Sequence, residues 1–168
     1  MANRTQFGGF YNAIEFNYGG GLGFPPALIV QSGPSSSPVS NPGTLVLQGA
    51  VAVRTDGLQF YPLNTNAPTL VGSGANQEKV TPSAVTNPTS PVPGNSSFTG
   101  TFTNIHGQGD PLASATFGLQ EAINEANRQG GGVVLIDAAW ANAGGTTTIK
   151  NAAVIPSPTI VTIQDNRT

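Results

Sequence analysis

The stretch TLVLQGAVAVRTDGLQFY, residues 44–61, decides the fold class. Leu45, Leu47, Val51 and Val53 fall on one face of an extended chain, with Gln48 and Arg54 on the other, which is the two-residue period of a half-buried strand. Asp56-Gly57 interrupts the run, and Leu58-Gln59-Phe60-Tyr61 resumes it. An Asp-Gly pair between two β-rich runs predicts a hairpin, because glycine tolerates the positive φ that a tight turn demands. Working outward, residues 77–86 and 97–104 also read as strands, the second placing Phe98 and Phe102 inward and Thr99, Thr101 and Thr103 outward. TNPTSPVPGNSS between them reads as a loop. Short strands joined by Gly and Pro turns predict a mainly β protein, a small antiparallel β-barrel or sandwich.

Beyond this module the period changes. Leu119, Ala122, Ile123 and Ala126 recur at helical spacing and predict one amphipathic helix over about 117–129, with a single narrow apolar face. Ser114 or Thr116 is expected to cap its start, Glu121 and Arg128 suit the helix dipole, and Gly130 supplies a left-handed stop. Val133-Val134-Leu135-Ile136 then reads as a strand buried on both faces. Residues 146–150 and 160–163 are further strand candidates, giving a short β-helix-like or α+β element at the C-terminal end.

Before the hairpin, FGGFYNAIEFNYGGGLGFPP mixes six aromatics with glycine and gives way to QSGPSSSPVSNPG, a linker by composition. Phe7, Phe10, Tyr11 and Phe16 are too apolar to leave in water, yet the glycines spoil both periods. Two readings fit: an arm that anchors on a partner through these four aromatics, or a strand and loop packed on the chain's own domain. The expected organisation is an arm and linker over 1–43, a β-barrel module over 44–113, and a helix with strands over 114–168.

Composition narrows the function. Charged residues make up 8% of the 168, against about 25% in ordinary globular domains, so the surface is built from Thr, Ser, Asn and Gln. A monomer ordinarily keeps itself soluble with more charge, which points to a surface largely covered by partners. The six basic residues are scattered and the net charge is -2, so no basic stripe exists for nucleic acid. No apolar run has membrane-spanning length, and the opening MANRTQFGGF lacks a signal peptide's apolar stretch, so folding in the cytoplasm is expected. With no cysteine there are no disulfides and no thiolate ligands.

Two segments resemble phage proteins. LVGSGANQEKVTPSAV followed by FTGTFTNIHGQGDPL, together spanning residues 70–112, resembles a small β-barrel module of tailed-bacteriophage virion proteins, departing from it at Pro82 and in the Pro-rich insertion at 87–94. Pro82 suggests an edge strand or bulge. LQEAINEANRQGGGVVLIDAAW, running on to VTIQDNR, resembles the opening of phage and pectate-lyase-like right-handed β-helices, where a cap helix precedes the first parallel strands. One rung cannot cover its own core, so the preceding barrel or other copies must do so. The resemblance implies architecture and virion context, and not polysaccharide cleavage.

Chemical motifs are sparse. His106 in Ile-His-Gly-Gln-Gly-Asp110 lacks the company that a metal site requires and reads as a turn or surface residue. Glu121 and Glu125, four apart, read as the solvated face of their helix. Gly130-Gly131-Gly132 follows its helix and so is a cap, not a phosphate cradle. No catalytic residue, cofactor or metal is expected. The expected function is a non-enzymatic virion structural protein made in the host cytoplasm. Its best placement is as a capsid decoration, cement or minor capsid protein. The expected partners are other virion proteins, the major capsid protein foremost, and further copies of itself, a homotrimer being favoured. A tail or fibre adaptor, or a glycan-binding adhesin using Trp140, is the alternative. Deleting residues 1–24 is expected to leave the domain folded and abolish attachment.

Overall fold

A computed structural model describes residues 9–21, 25–34, 39, 41–49, 51–54, 56–57, 59–87, 95–138, 140 and 161–166. In chain order these form β1 (Phe10–Asn12), β2 (Leu28–Ser32), β3 (Gly43–Leu47), β4 (Ala52–Val53), β5 (Gln59–Phe60) and β6 (Thr69–Val71). There follow β7 (Glu78–Val80), β8 (Ala84–Thr86), β9 (Ser97–Gly100), β10 (Pro111–Ser114), helix α1 (Leu119–Arg128), β11 (Gly132–Asp137) and β12 (Val161–Asn166). The protein is mainly β, and its largest unit is a seven-stranded antiparallel sheet, order β7-β6-β10-β2-β3-β9-β8, curled into a half-barrel.

The predicted hairpin forms, with Ala52 opposite Phe60 and Val53 opposite Gln59, but it is a separate two-stranded ribbon. The long strand expected across it breaks at Gly49, where φ is +130°. That break flips the register: Leu45 and Leu47 are buried as expected, but beyond it Ala52 is buried and Val53 exposed. A one-residue shift turns every following side chain over, and only the backbone at the glycine decides whether it occurs.

The strand expected over 77–86 is likewise two strands, and they are the two opposite edges of the seven-stranded sheet. Pro82 stands at the corner between β7 and β8, where its missing N–H costs the ladder nothing. Ser83 N–H donates to Thr99 O at 2.7 Å on one side of the corner. On the other, the Glu78 carboxylate accepts the amides of Thr103 and Asn104, both at 2.8 Å. The curl brings Val80 of β7 so close to Gly100 of β9 that a Cβ there would lie 2.6 Å from the valine methyl. Phe98 and Phe102 fill the interior, as their spacing predicts.

A second layer is parallel. β11 lies between β1 and β12, with Phe10, Val133 and Thr162 in register, then Tyr11, Val134 and Ile163, then Asn12, Leu135 and Gln164. Tyr11 and Val134 face inward toward α1 and are buried. The predicted helix is present, two residues shorter at its start and one at its end, and Gly130 follows it with φ +91°. Its N-cap position is Gly118, yet both expected capping hydroxyls act. Ser114 Oγ accepts Gly118 N–H at 2.8 Å and Thr116 Oγ1 accepts Gln120 N–H at 3.1 Å.

The segments expected as separate units interleave. β1, from the N-terminal stretch, pairs with β11, while β2 sits inside the half-barrel between β10 and β3. Of the two readings of the aromatic segment, packing on its own domain describes residues 11–18: Tyr11, Ala13, Ile14, Phe16 and Tyr18 all join the core. Phe16 meets Phe60 edge-on at 4.9 Å, tying the 3-10 turn Ala13–Phe16 to the ribbon. Truncation to residue 24 would therefore remove β1 and part of the core, so it cannot leave the domain intact. The strand expected at 146–150 and most of the loop at 86–97 lie outside the described residues, as does part of the linker.

Candidate functional site

The parallel layer has an inner face packed on α1 and an outer face that no element among the described residues seals. Phe10, Val133 and Leu135 share that outer face, beside Asn12, Thr162 and Gln164. Phe10 is 71% exposed, and Val133 and Leu135 are half-buried. The sequence suggested a strand buried on both sides at 133–136. The structure instead buries Val134 and Ile136 and leaves the alternate pair partly open. The face offers an apolar strip rimmed by amides and a hydroxyl, with one carboxylate at its end, where Asp137 accepts from Asn12 at 2.8 Å. Such composition resembles the middle of an interface more than an ordinary wet surface.

The four expected anchors separate. Phe7 lies outside the described residues. Phe10 is available to a partner, whereas Tyr11 is 7% exposed and Phe16 fully buried, so those two rings anchor the chain to itself. Strand alternation explains the split between Phe10 and Tyr11. Phe16 carries the Arg54 guanidinium over its ring at 4.9 Å, and Arg54 also pairs with Glu15 at 2.5 Å and Asp56 at 2.7 Å. Trp140, the residue on which sugar stacking would rest, is 2% exposed and part of the core.

His106 is not on the surface. It is fully buried, its Nε2 2.8 Å from Glu78 Oε1 and its Nδ1 3.1 Å from Asp110 Oδ2. Whichever tautomer the ring adopts, at least one N–H donates to a carboxylate. Its backbone N–H donates to Pro34 O at 3.1 Å, and its ring packs edge-on against Phe102 at 5.8 Å. Burial pushes the Glu78 carboxyl up, but the amides of Thr103 and Asn104 and the His106 ring outweigh it and hold Glu78 below the usual range. The cluster ties the β7 edge of the half-barrel to the 102–110 loop. The Gly-rich setting and the four-residue spacing to Asp110 were visible in the sequence, but Glu78 lies 28 positions away.

The two helix glutamates are also buried, correcting their solvated reading. Residues Leu119 to Ala126 are all buried, and on the polar side Thr116 meets Glu121 and Asn66 meets Asn124. Glu125 accepts a bidentate pair from Arg128, at 2.8 and 2.6 Å, and another bond from Gln129 at 2.9 Å. That pairing, above all the hydrogen bonds to Glu125, raises the Arg128 guanidinium further above its ordinary value. Glu121 has no cation. Thr116 Oγ1 donates to its Oε2 at 2.8 Å, and its Oε1 has no hydrogen-bond partner among the described residues. Burial pushes its pKa up to about 7.

A cleft of about 260 Å³ opens between the C-terminal half of α1 and residues 61–64, lined by Tyr61, Asn87, Asn124, Asn127 and the Glu125–Arg128 pair. Its polar groups bond largely to their own surroundings: Asn124 donates to Asn66 at 2.9 Å, Asn87 to Leu63 O at 3.4 Å, and Arg128 to Glu125. This network rigidifies the cleft wall more than it readies it for a ligand. No protein-family model, curated protein or solved structure matches the chain.

Proposed function

We propose that this protein is a non-enzymatic structural component of a tailed-bacteriophage virion, a capsid decoration, cement or minor capsid protein that attaches through the outer face of its parallel layer. The observation that carries the reading is Phe10, 71% exposed on a strand that shares an apolar strip with Val133 and Leu135. An aromatic ring in this setting is the kind of anchor on which interface energy concentrates. Sparse charge supports the same reading, since a chain with 8% charged residues relies on partners to cover its surface. The virion context rests on the resemblance of residues 70–112 and 119–167 to phage modules.

In this reading the action is mechanical. Apolar area buried at each contact, at roughly 25 cal/mol per Å², stabilises a shell through many repeated contacts, with major capsid protein and with neighbouring copies in a trimer. Immunogold electron microscopy of purified particles with an antibody against this chain tests the placement. Gold spread over the head is the expected result. Gold confined to the tail or a vertex would move the protein to an adaptor role. Absence of gold from both intact and disrupted particles would overturn the virion reading.

A further inference from the structure

We infer that Glu121 is a proton-operated latch between the half-barrel and helix α1, closed when its carboxyl is neutral and strained when it is charged. The geometry carries the inference. Glu121 is 1% exposed, in the first turn of α1, facing the end of β10 where Ser114 and Thr116 are themselves buried. Thr116 donates its hydroxyl to one carboxyl oxygen and in turn accepts Gln120 N–H, so a single side chain links strand end, helix start and carboxyl. The other carboxyl oxygen has no partner among the described residues. A charged carboxylate would leave that oxygen without a hydrogen bond in a buried site, whereas a neutral carboxyl places far less charge there.

The Thr116 and Ser114 hydroxyls and the residue's own backbone offset a charge only in part, and desolvation outweighs them. Tyr18, from the segment after the 3-10 turn, is the ionisable group facing Glu121, and its phenol bonds to Thr69 Oγ1 on β6 at 2.9 Å. Of the elements packed on α1, the 3-10 turn carries Glu15, which is paired with Arg54, and β1 carries Tyr11. β11 carries Asp137, which accepts from Asn12 at 2.8 Å. On α1 itself Glu125 lies one turn on, and Arg128 pairs with it rather than with Glu121. Desolvation is thus unopposed by any positive charge, and the carboxyl is held up to about 7 from an ordinary 4.5.

The sign follows from linkage. With a folded value above the unfolded one, the folded state holds the proton longer, so stability is greatest below 4.5 and falls as pH rises to about 7, with no further loss above. The full shift corresponds to roughly a 300-fold change in the folding equilibrium. Opening is expected to start at the β10–α1 junction, because that is where the carboxyl oxygen without a hydrogen bond lies. The same proton would thereby set how firmly α1 backs the parallel layer.

Hydrogen exchange of the intact chain, corrected for intrinsic rates, tests the latch. Protection of the α1 amides is expected to fall by up to roughly 300-fold between pH 4.5 and values above 7 in the natural protein, and this component is absent in Glu121→Gln, which keeps shape and removes the titration. The same pH dependence in both proteins would overturn the inference. Should the variant fail to fold, the ¹³C carboxyl resonance of Glu121 in the natural protein decides alone: a midpoint near 7 is expected, and one near 4.5 overturns the latch.

Discussion

The half-barrel and the helical layer hold a carboxyl in opposite ways. In the half-barrel, Glu78 accepts two backbone amides and lies against the His106 ring nitrogen, and its pKa is held below the ordinary value. At the helical layer, Glu121 has hydroxyl donors but no cation among the described residues, and its pKa is pushed up to about 7. The difference lies in the partners each site supplies. A closed sheet corner brings spare N–H groups, because the 102–104 backbone leaves the ladder there, whereas the start of a helix packed on a strand end brings a hydroxyl. One region is therefore weakened as pH falls below the ordinary carboxyl value of 4.5 and the other as pH rises from 4.5 to about 7, and stability should peak where the two meet.

The largest way to break this arrangement is at the junction of the regions. Gly118 has φ +86°, and a Cβ there would lie 2.0 Å from Ala13 O and 2.6 Å from Asn17 N. Gly118→Ala is expected to cost roughly 3 kcal/mol or more in chemical denaturation, because the clash is with backbone that cannot swing aside. A loss under about 1 kcal/mol would show that the two regions are not tightly joined.

His106→Ala comes next, at about 2–3 kcal/mol, since it removes the ring that bridges the Glu78 and Asp110 carboxylates and empties a packed site beside Phe102. Hydrogen exchange should rise at 78–80 and 102–110 while the α1 amides change little. Equal loss in both regions would mean that they open as one unit.

Glu78→Gln sharpens the pH contrast with a smaller effect. Because Glu78 is depressed in the folded state, its contribution is present above the ordinary value of 4.5 and lost as pH falls through the folded one. Thermal melts of the variant should therefore match the natural protein in strong acid and fall short of it near neutrality. A constant deficit across that range would assign the role of Glu78 to packing instead.

Phe10→Ser is expected to be the mildest for stability, within about 0.5 kcal/mol, because the ring is mostly in solvent. Its effect should appear on occupancy of purified particles, which is expected to drop several-fold. Undiminished occupancy in the folded variant would remove the outer face from the attachment proposal.

Local readings survived where a single element sufficed. The Asp56-Gly57 hairpin, the inward Phe98 and Phe102, the helix, its Gly130 stop and both capping hydroxyls at Ser114 and Thr116 follow from period and turn chemistry that act over a few residues. Pro82 was legible as an irregular edge, though not as a corner joining two edges of one sheet. The site was less legible. Phe10 was named with Tyr11 and Phe16, and aromatic character alone cannot say which ring a strand turns outward.

The sequence by itself determined that this chain builds short strands, the amphipathic helix α1 and a mainly β fold, because hydrophobic period and turn residues are local properties. Tertiary structure alone decided that Gly49 flips the hairpin register, that β1 leaves the N-terminal stretch to pair with β11, and that His106, Glu121 and Glu125 are buried. Burial depends on what distant segments cover. Glu78 and His106 are 28 positions apart and Phe10 and Val133 more than a hundred, so no window along the chain contains both partners.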